Sequence, residues 1–361
     1  MQSNYDVIVV GAGPAGLGAA IEARRCGASV LLLDENSRPG GQLFKQIHKF
    51  FGSEEHYAGT RGFMIGENLL KEAAELGVET KLSTRVWGVY PDGSVAATDE
   101  KQSWEFKAKR IVLASGASEN ALSFPGCTLP GVITAGAAQT FMNVHHVVTG
   151  KRFVVVGSGN VGLIVTYQLL QAGADVACIL VAAPGISGYA VHAAKVKRAG
   201  VPVRTSHSIL RAEGNGSVER VVIAKLDEKF KPIPGTEETI ECDTVAIAVG
   251  LTPRVEIANV SGCKLVNSGP LGVIPAHTSD METTVENLLV AGDAAGIEEA
   301  STALDEGRLA GTRAAYKLGF LTDEEYEAAY ETIMKRLNTL RAGPFGERRR
   351  LLKEAVWNSM K

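Results

Sequence analysis

Two stretches of the chain share one grammar, and that repetition constrains the fold more than any other feature. The first is an apolar strand over Tyr5–Val10, the turn Gly11-Ala12-Gly13-Pro14-Ala15-Gly16, a helix-like run from Leu17 to Cys26 stopped by Gly27, and a strand over Val30–Leu33 closing on Asp34-Glu35. The second is a strand over Phe153–Val156, the turn Gly157-Ser158-Gly159-Asn160-Val161-Gly162, a helix from Leu163 to Gln171 stopped by Gly173, and a strand over Val176–Val181. Strand, glycine turn, helix and strand within about 30 residues mark parallel strands joined by a right-handed crossover. The turns begin at Gly11 and Gly157, 146 residues apart, which is a duplicated fold and not a short-repeat array. For 361 residues this predicts an α/β protein with two Rossmann-like domains.

Each glycine has a mechanical task. Gly11 permits the tight turn, Gly13 lets the backbone approach a pyrophosphate, and Gly16 lets the helix pack close to the sheet. A phosphate then rests on the free N–H groups at the positive end of the helix, with Pro14 and Ala15 in its first turn. Asp34, 18 residues after Gly16 and followed by Glu35, ends the second strand where a carboxylate hydrogen-bonds a ribose. In the second unit Gly157, Gly159 and Gly162, with Asn160 and Val161, offer the same cradle. The corresponding strand end reads Leu180-Val181-Ala182-Ala183, with no acid for a ribose and no arginine for a 2′-phosphate.

Further motifs follow in a fixed order: Arg38-Pro39-Gly40-Gly41-Gln42-Leu43, then Leu113-Ala114-Ser115-Gly116-Ala117, then Ala248-Val249-Gly250-Leu251-Thr252-Pro253, then Asn287-Leu288-Leu289-Val290-Ala291-Gly292-Asp293. With these the chain resembles the two-dinucleotide-domain flavoproteins, the family of thioredoxin-reductase-like and disulfide-reductase-like enzymes. The resemblance implies that the first turn binds FAD. It also implies that Gly40, Gly41 and Gln42 cover the flavin side, that Ala114, Ser115 and Gly116 form the crossover, and that Asp293 after Gly292 bonds the ribityl chain. The second turn would hold NAD(P)H in that family; since Leu180-Val181-Ala182-Ala183 offers no side chain to discriminate, another adenine nucleotide or none is the alternative. The implied boundaries are a discontinuous FAD-binding domain over 1–119 and 253–320, an inserted NAD(P)-binding-like domain over 120–252, and a helical tail over 321–361.

Three stretches carry a narrower resemblance: Phe124-Pro125-Gly126-Cys127-Thr128-Leu129-Pro130-Gly131-Val132, Thr134-Ala135-Gly136-Ala137-Ala138-Gln139, and Gly292 through Ala300 running into Glu306-Gly307-Arg308. They are similar to the α-type subunits of dye-linked proline dehydrogenases, opine oxidases and hydrogen cyanide synthases, and to the flavoprotein partner of glycerol-3-phosphate-dehydrogenase-like proteins. In those systems a second flavoprotein subunit oxidises the amine, amino acid or hydroxy compound. The usual α-type chains continue into a cysteine-rich iron–sulfur extension; the tail here has no cysteine, so no cluster is expected.

What the chain lacks narrows its chemistry. Thioredoxin-reductase-like enzymes carry a C-x-x-C shortly before the second turn, where this chain reads Thr134-Ala135-Gly136-Ala137-Ala138. Disulfide reductases carry a cysteine pair after the first Gly-Gly, where it has Gln46, Ile47 and His48. Without paired cysteines a thiol–disulfide relay has no carrier. The five cysteines, Cys26, Cys127, Cys178, Cys242 and Cys263, are dispersed, which fits neither a secreted disulfide framework nor a zinc site. Cys127 reads as a buried hinge thiol and His145-His146 as a packed or surface pair, so no metal site is nominated. Hydride transfer between cofactors works by proximity; cofactor-binding residues are nominated and no catalytic acid or base.

The net charge of −3 argues against a nucleic-acid partner. Met1–Asp6 lacks the basic segment of a signal peptide, so a cytoplasmic location is expected. Between Asn120 and Ala194 the charged residues are Lys151, Arg152 and Asp175 alone, where the chain average of 21% leads one to expect about 16. The uncharged run Phe153–Ala174 is long enough to span a bilayer, but its four glycines and polar residues read as strand, turn and helix, not a transmembrane segment. Such a charge-poor stretch is expected to be covered by a partner protein, by a second copy, or by this chain's own first domain. From Leu321 the composition changes: Thr322-Asp323-Glu324-Glu325 reads as a capping box, Tyr326, Tyr330, Ile333, Met334, Leu337 and Leu340 make one apolar stripe, and Gly343-Pro344 ends the helix. Arg348-Arg349-Arg350 reads as a solvated face, and Glu298-Glu299 as acids suited to a helix start. Three functions are compatible with all this: an FAD-dependent subunit passing electrons between flavin and NAD(P)H or another carrier in an amine, amino-acid or hydroxy-acid dehydrogenase complex; a self-sufficient NAD(P)H-dependent reductase of a small carrier; or a nucleotide-binding scaffold without catalysis.

Overall fold

The structure, a computed structural model, describes residues 3–360. The chain forms two compact units: one runs up to Ser118 and resumes at Thr252, and the other is Glu119–Leu251.

In the first unit the strand Asn4–Val10 lies between Val30–Leu33 and Ser103–Leu113, parallel to both, with Val7 opposite Val30 on one side and Arg110 on the other. Glu79–Lys81 extends the parallel sheet beyond Val30–Leu33, and Leu288–Val290 pairs in parallel with Ser103–Leu113. Ser94–Thr98 and Arg85–Val89 add an antiparallel flank. Val7, Ile8 and Val9 are fully buried because both sheet faces are covered, which explains the uninterrupted apolar run. Val7 and Val9 join a core with the helices Pro14–Arg25, Gly62–Glu75 and Ala300–Lys317, while Ile8 and Val10 join Val95, Phe106 and Ile111 on the other face. The helices Pro14–Arg25 and Ala300–Lys317 touch backbone to backbone: a Cβ on Gly307 would lie 1.9 Å from the Ala15 carbonyl oxygen, so no larger residue fits there.

The second unit repeats the plan. Its five parallel strands run in the order Val203–Thr205, Asp175–Val181, Arg152–Val156, Thr244–Ile247, Val132–Thr134. Ala135–His145, Asn160–Gln171 and Ala190–Arg198 are its helices, and His207–Glu213, Arg220–Lys225 and Glu238–Glu241 form a separate antiparallel sheet. The uncharged run after Phe153 is therefore strand, turn and helix. Among the described residues no helix is long and apolar enough to cross a membrane.

The last two helices, Asp323–Leu340 and Gly343–Asn358, belong to the first unit. Thr322 and Glu325 form the expected reciprocal cap, and Ile333 and Leu337 enter the first unit's core. The helix stops at Leu340; Gly343 and Pro344 open the next one, where proline is pre-shaped for a first turn.

Candidate functional site

The first glycine turn sits at the carboxyl ends of the parallel strands, the end at which open α/β sheets bind ligands. Gly11 has φ +105° and packs so tightly on the crossover that a Cβ would fall 2.3 Å from the Ala114 carbonyl oxygen. A Cβ on Gly16 would lie 1.6 Å from the Gly11 carbonyl oxygen. Gly13 is different: its nearest neighbour would be the Cα of Gly41 at 3.9 Å, which leaves its surface open for a ligand backbone. Gly13 caps the helix Pro14–Arg25, and having no side chain it makes no cap hydrogen bond to the first N–H groups of that helix.

The strand-end motifs gather around this turn. The Gly40 N–H donates to the Ala12 carbonyl (2.7 Å), bringing Gly40 and Gly41 over the turn; Gln42 beside them is exposed. The Ala12 N–H donates to Asp34 Oδ2 (2.5 Å), while Asp34 Oδ1 accepts from the Asn36 backbone and amide (2.7 and 2.9 Å). Asp34 thus braces the turn itself. Glu35 is more open and is held by Arg254 (2.7 Å) and Arg85 (3.4 Å); the hydrogen bond from Arg254 keeps its carboxyl below the usual range. The Ser115 hydroxyl donates to the Arg254 carbonyl (2.7 Å), and the Arg254 N–H donates to the Gly116 carbonyl (2.9 Å). Gly292, with φ +70°, would place a Cβ 2.8 Å from that of Ala15, so the Gly292-Asp293 turn lies at the start of the same helix. Burial pushes the Asp293 carboxyl up to about 7, helped by the charges of Glu306 and Glu299.

The second turn copies the first. A Cβ on Gly157 (φ +112°) would meet the Ala248 carbonyl oxygen at 2.1 Å, and one on Gly162 would meet the Gly157 carbonyl oxygen at 2.2 Å; Gly159 faces open space. Gly159 caps the helix Asn160–Gln171 without a side-chain hydrogen bond. The Gly188 N–H donates to the Ser158 carbonyl (2.8 Å) and the Tyr189 N–H to Asn160 Oδ1 (2.8 Å), a return loop equivalent to Gly40-Gly41. Since the Gly11 N–H donates to the Leu33 carbonyl and the Gly157 N–H to the Leu180 carbonyl, Val181 stands where the first unit has Asp34. Val161 is exposed on the first turn of its helix.

Known proteins resemble this chain over most of its length. Residues 5–307 match the pattern of the pyridine nucleotide-disulphide oxidoreductases. The chain belongs to that family. Among relatives of this oxidoreductase, one of the opine oxidase subunits of Rhizobium meliloti (strain 1021) is 29% identical over 344 residues, covering 89% of this chain and 73% of the relative. The hydrogen cyanide synthase component HcnB of Pseudomonas aeruginosa, also named as a subunit, is 27% identical, covering 92% and 74%. The alpha chain of sarcosine oxidase from Corynebacterium sp. (strain P-1) is 31% identical, covering 87% of this chain and only 33% of the relative. The fold is that of the L-proline dehydrogenase from P. horikoshii (TM-score 0.70, 24% identity, 92% of this chain and 59% of that one). It is equally that of the T. acidophilum thioredoxin reductase (TM-score 0.73, 23% identity, 89% and 100%).

The cysteines, histidines and acids named from the sequence take up distinct surroundings. All five cysteines are free thiols; Cys127 is half-buried, not buried, and burial pushes Cys26 and Cys178 up to about 11 and Cys242 to about 12. His145 and His146 are exposed, and no cluster of three metal-binding side chains occurs among the described residues. Glu299 caps the helix Ala300–Lys317 reciprocally with Thr302, whereas Glu298 is buried against Arg341, an ion-pair role that its position at a helix start did not reveal. Arg349 of the arginine run pairs with Glu299 (3.1 Å). Sequence reasoning also missed Arg254, Lys353, Arg341 and His277. Their partners are more than 20 residues away, except for the Pro275 carbonyl beside His277, and no local pattern marks them.

Proposed function

We propose that the chain is an FAD-dependent oxidoreductase subunit that passes electrons between flavin and NAD(P)H or another carrier, within a complex oxidising an amine, amino acid or hydroxy acid. One observation carries this: the open Gly13 cradle, the Gly40-Gly41 return and the Gly292-Asp293 turn converge on the start of one helix in one unit. These groups fit FAD. Gly11, Gly13, Pro14, Ala15 and Gly16 would hold its pyrophosphate, Asp34 and Glu35 would flank its ribose, and Gly40, Gly41 and Gln42 would cover the flavin side. Ala114, Ser115 and Gly116 would line the crossover, and Gly292 and Asp293 would meet the ribityl chain. Bound flavin supplies the redox chemistry; the chain's own task is to bind, orient and exclude water. Gly157, Gly159, Asn160, Val161 and Gly162 would hold a pyridine nucleotide in the second unit. The sequence holds no C-x-x-C pair, and burial pushes the Cys26, Cys178 and Cys242 thiols up to about 11 or 12, away from thiolate chemistry, which supports a route without a redox disulfide.

A partner follows from the relatives' being named as subunits and from the charge-poor stretch, where Phe141, Val147, Val148, Val161 and Val191 are exposed. A second flavoprotein dehydrogenase subunit or a second copy would cover them. Val181 favours a second reading, in which the second unit no longer feeds electrons and serves as scaffold. Anaerobic titration of the purified chain with NADH and then NADPH separates the two. Bleaching of a flavin band supports the hydride route, a band indifferent to both nucleotides supports the scaffold reading, and no band after reconstitution with FAD overturns the proposal.

A further inference from the structure

The first unit buries four charged side chains in one cluster. Lys353 and Arg341, from the C-terminal helices, are 0% and 1% exposed, and Glu306 and Glu298 are 2% and 4% exposed. Lys353 Nζ donates to Glu306 Oε1 (2.6 Å) and to the Ala295 carbonyl (2.9 Å). Arg341 Nη2 donates to the same Glu306 oxygen (2.5 Å), and Arg341 Nε donates to Glu298 (3.0 Å). Glu306 Oε2 accepts the Gly292 N–H (3.0 Å).

These contacts fall on both ends of one short turn. Gly292–Ala295 is a single 3-10 turn that carries Asp293. Glu306 grips its first N–H, Lys353 its last carbonyl, and Arg341 fixes Glu298 just beyond, whose N–H lies 3.4 Å from Asp293 Oδ1. Gly292 sits at φ +70°, which glycine adopts without strain, and a residue with that conformational freedom is fixed by the contacts at the two ends of the turn. Burial works to neutralise Glu306, but the charges of Lys353 and Arg341 outweigh it and keep the carboxylate ionised. A charged acceptor holds the Gly292 N–H more firmly than a neutral one. Docking of the tail alone does not need this arrangement: Ile333 and Leu337 already bury an apolar stripe, and an apolar residue at 353 would fill the space without desolvating a charge.

We infer that Lys353 and Arg341 are positioning residues for the flavin site: the C-terminal helices deliver two cations that hold Glu306 as an anion, and through it fix the Gly292–Ala295 turn and the Asp293 carboxyl. This rests on the assignment of FAD to the first unit. The full-length wild type, Lys353→Met and the control Arg349→Met are stripped of flavin and titrated with FAD by fluorescence quenching. Flavin reduction potential and the Tm of the apo protein are measured on each. Arg349 tethers the same helix through Glu299, which caps the helix Ala300–Lys317. The expected result is FAD affinity weaker by ~10-fold or more and a shifted potential in K353M, with R349M like the wild type. An unchanged FAD affinity and potential in K353M, even with a lowered apo Tm, overturns the inference and makes Lys353 purely structural. Equal losses in K353M and R349M overturn it as well. If K353M does not fold, Lys353→Gln, a polar but uncharged side chain one bond shorter, enters the same titration; weakening by ~3-fold or more supports the inference and wild-type affinity overturns it. A wild type that takes up no FAD overturns the underlying assignment instead.

Discussion

The two glycine turns agree in backbone down to single hydrogen bonds and part ways in side-chain chemistry. In each, the first glycine packs on an alanine carbonyl of the crossover, Ala114 or Ala248, and the third packs on the carbonyl of the first. In each, a later glycine N–H, that of Gly40 or Gly188, returns to the carbonyl in the middle of the turn. At the strand end, however, Asp34 accepts the Ala12 N–H in the first turn, and Val181 has nothing to offer in the second. The difference teaches that the cradle for a pyrophosphate is backbone geometry, which duplication preserves, while the grip on the rest of a nucleotide is side-chain chemistry, which has diverged.

The largest expected effect attacks the shared geometry. Gly16→Ala drives a methyl to within 1.6 Å of the Gly11 carbonyl oxygen, and Gly162→Ala drives one to within 2.2 Å of that of Gly157. Overpacking of this kind costs ~1–3 kcal/mol or more. G16A is expected to lower the Tm and to purify without a flavin band. G162A is expected to destabilise the second unit and keep the band. Loss of flavin from G162A alone would break the assignment of one nucleotide to each turn. A milder pair tests the ligand without the fold. Methyls on Gly13 and Gly159 meet no protein atom closer than 3.9 Å, so both variants should keep stability to within ~0.5 kcal/mol. G13A should weaken FAD binding, and G159A should leave it untouched while weakening any pyridine nucleotide.

Next in size is a change that makes the two strand ends alike. Val181→Glu places a carboxylate at the position matching Asp34. A hydrogen bond from a ribose hydroxyl to a charged acceptor should tighten NADH by ~10-fold, with NADPH unchanged or weakened by repulsion from its 2′-phosphate. Fluorescence titration of the two nucleotides checks it. Equal affinities before and after the substitution would show that the second unit no longer uses its strand end for recognition.

How much of this was legible in the sequence follows from the same division. Backbone geometry writes itself as glycine spacing and apolar runs, so both turns, their helices and strands, and the cap at Thr322–Glu325 could be read from local residues. Lys353 could not. A lysine among the 15 charged residues that follow Phe320 looks solvated, and only the fold brings it to Ala295 and Glu306. Asp34 was legible as an acid closing the second strand, but its bond to the turn depends on a return of the chain that periodicity does not encode. Arg254 was hidden for the same reason: its partner Glu35 is 219 residues away.

The smallest effect concerns two buried groups that pull in opposite directions. Burial, reinforced by the charge of Lys353, pushes the His277 imidazole down to about 4, while the Asp293 carboxyl is pushed up to about 7. For His277 the unfolded chain takes up a proton first as pH falls below about 6.5, so its share of stability is present above that pH and is lost towards pH 4. For Asp293 the unfolded chain ionises first, so stability is lost as pH rises from about 4 to about 7. Between pH 4.5 and 6.5 the two slopes oppose each other, and the flavin-free protein should change by less than ~1 kcal/mol across the window. Asp293→Asn removes one slope and should make stability rise with pH. His277→Asn, whose amide can still donate to the Pro275 carbonyl as Nδ1 does, removes the other and should make it fall. Urea unfolding of the three proteins at four pH values reads the signs directly. Parallel profiles for both variants would mean that neither group titrates inside this fold as its surroundings demand. Such a result would also weaken the case for Glu306, whose charge helps to raise Asp293 and opposes the depression of His277.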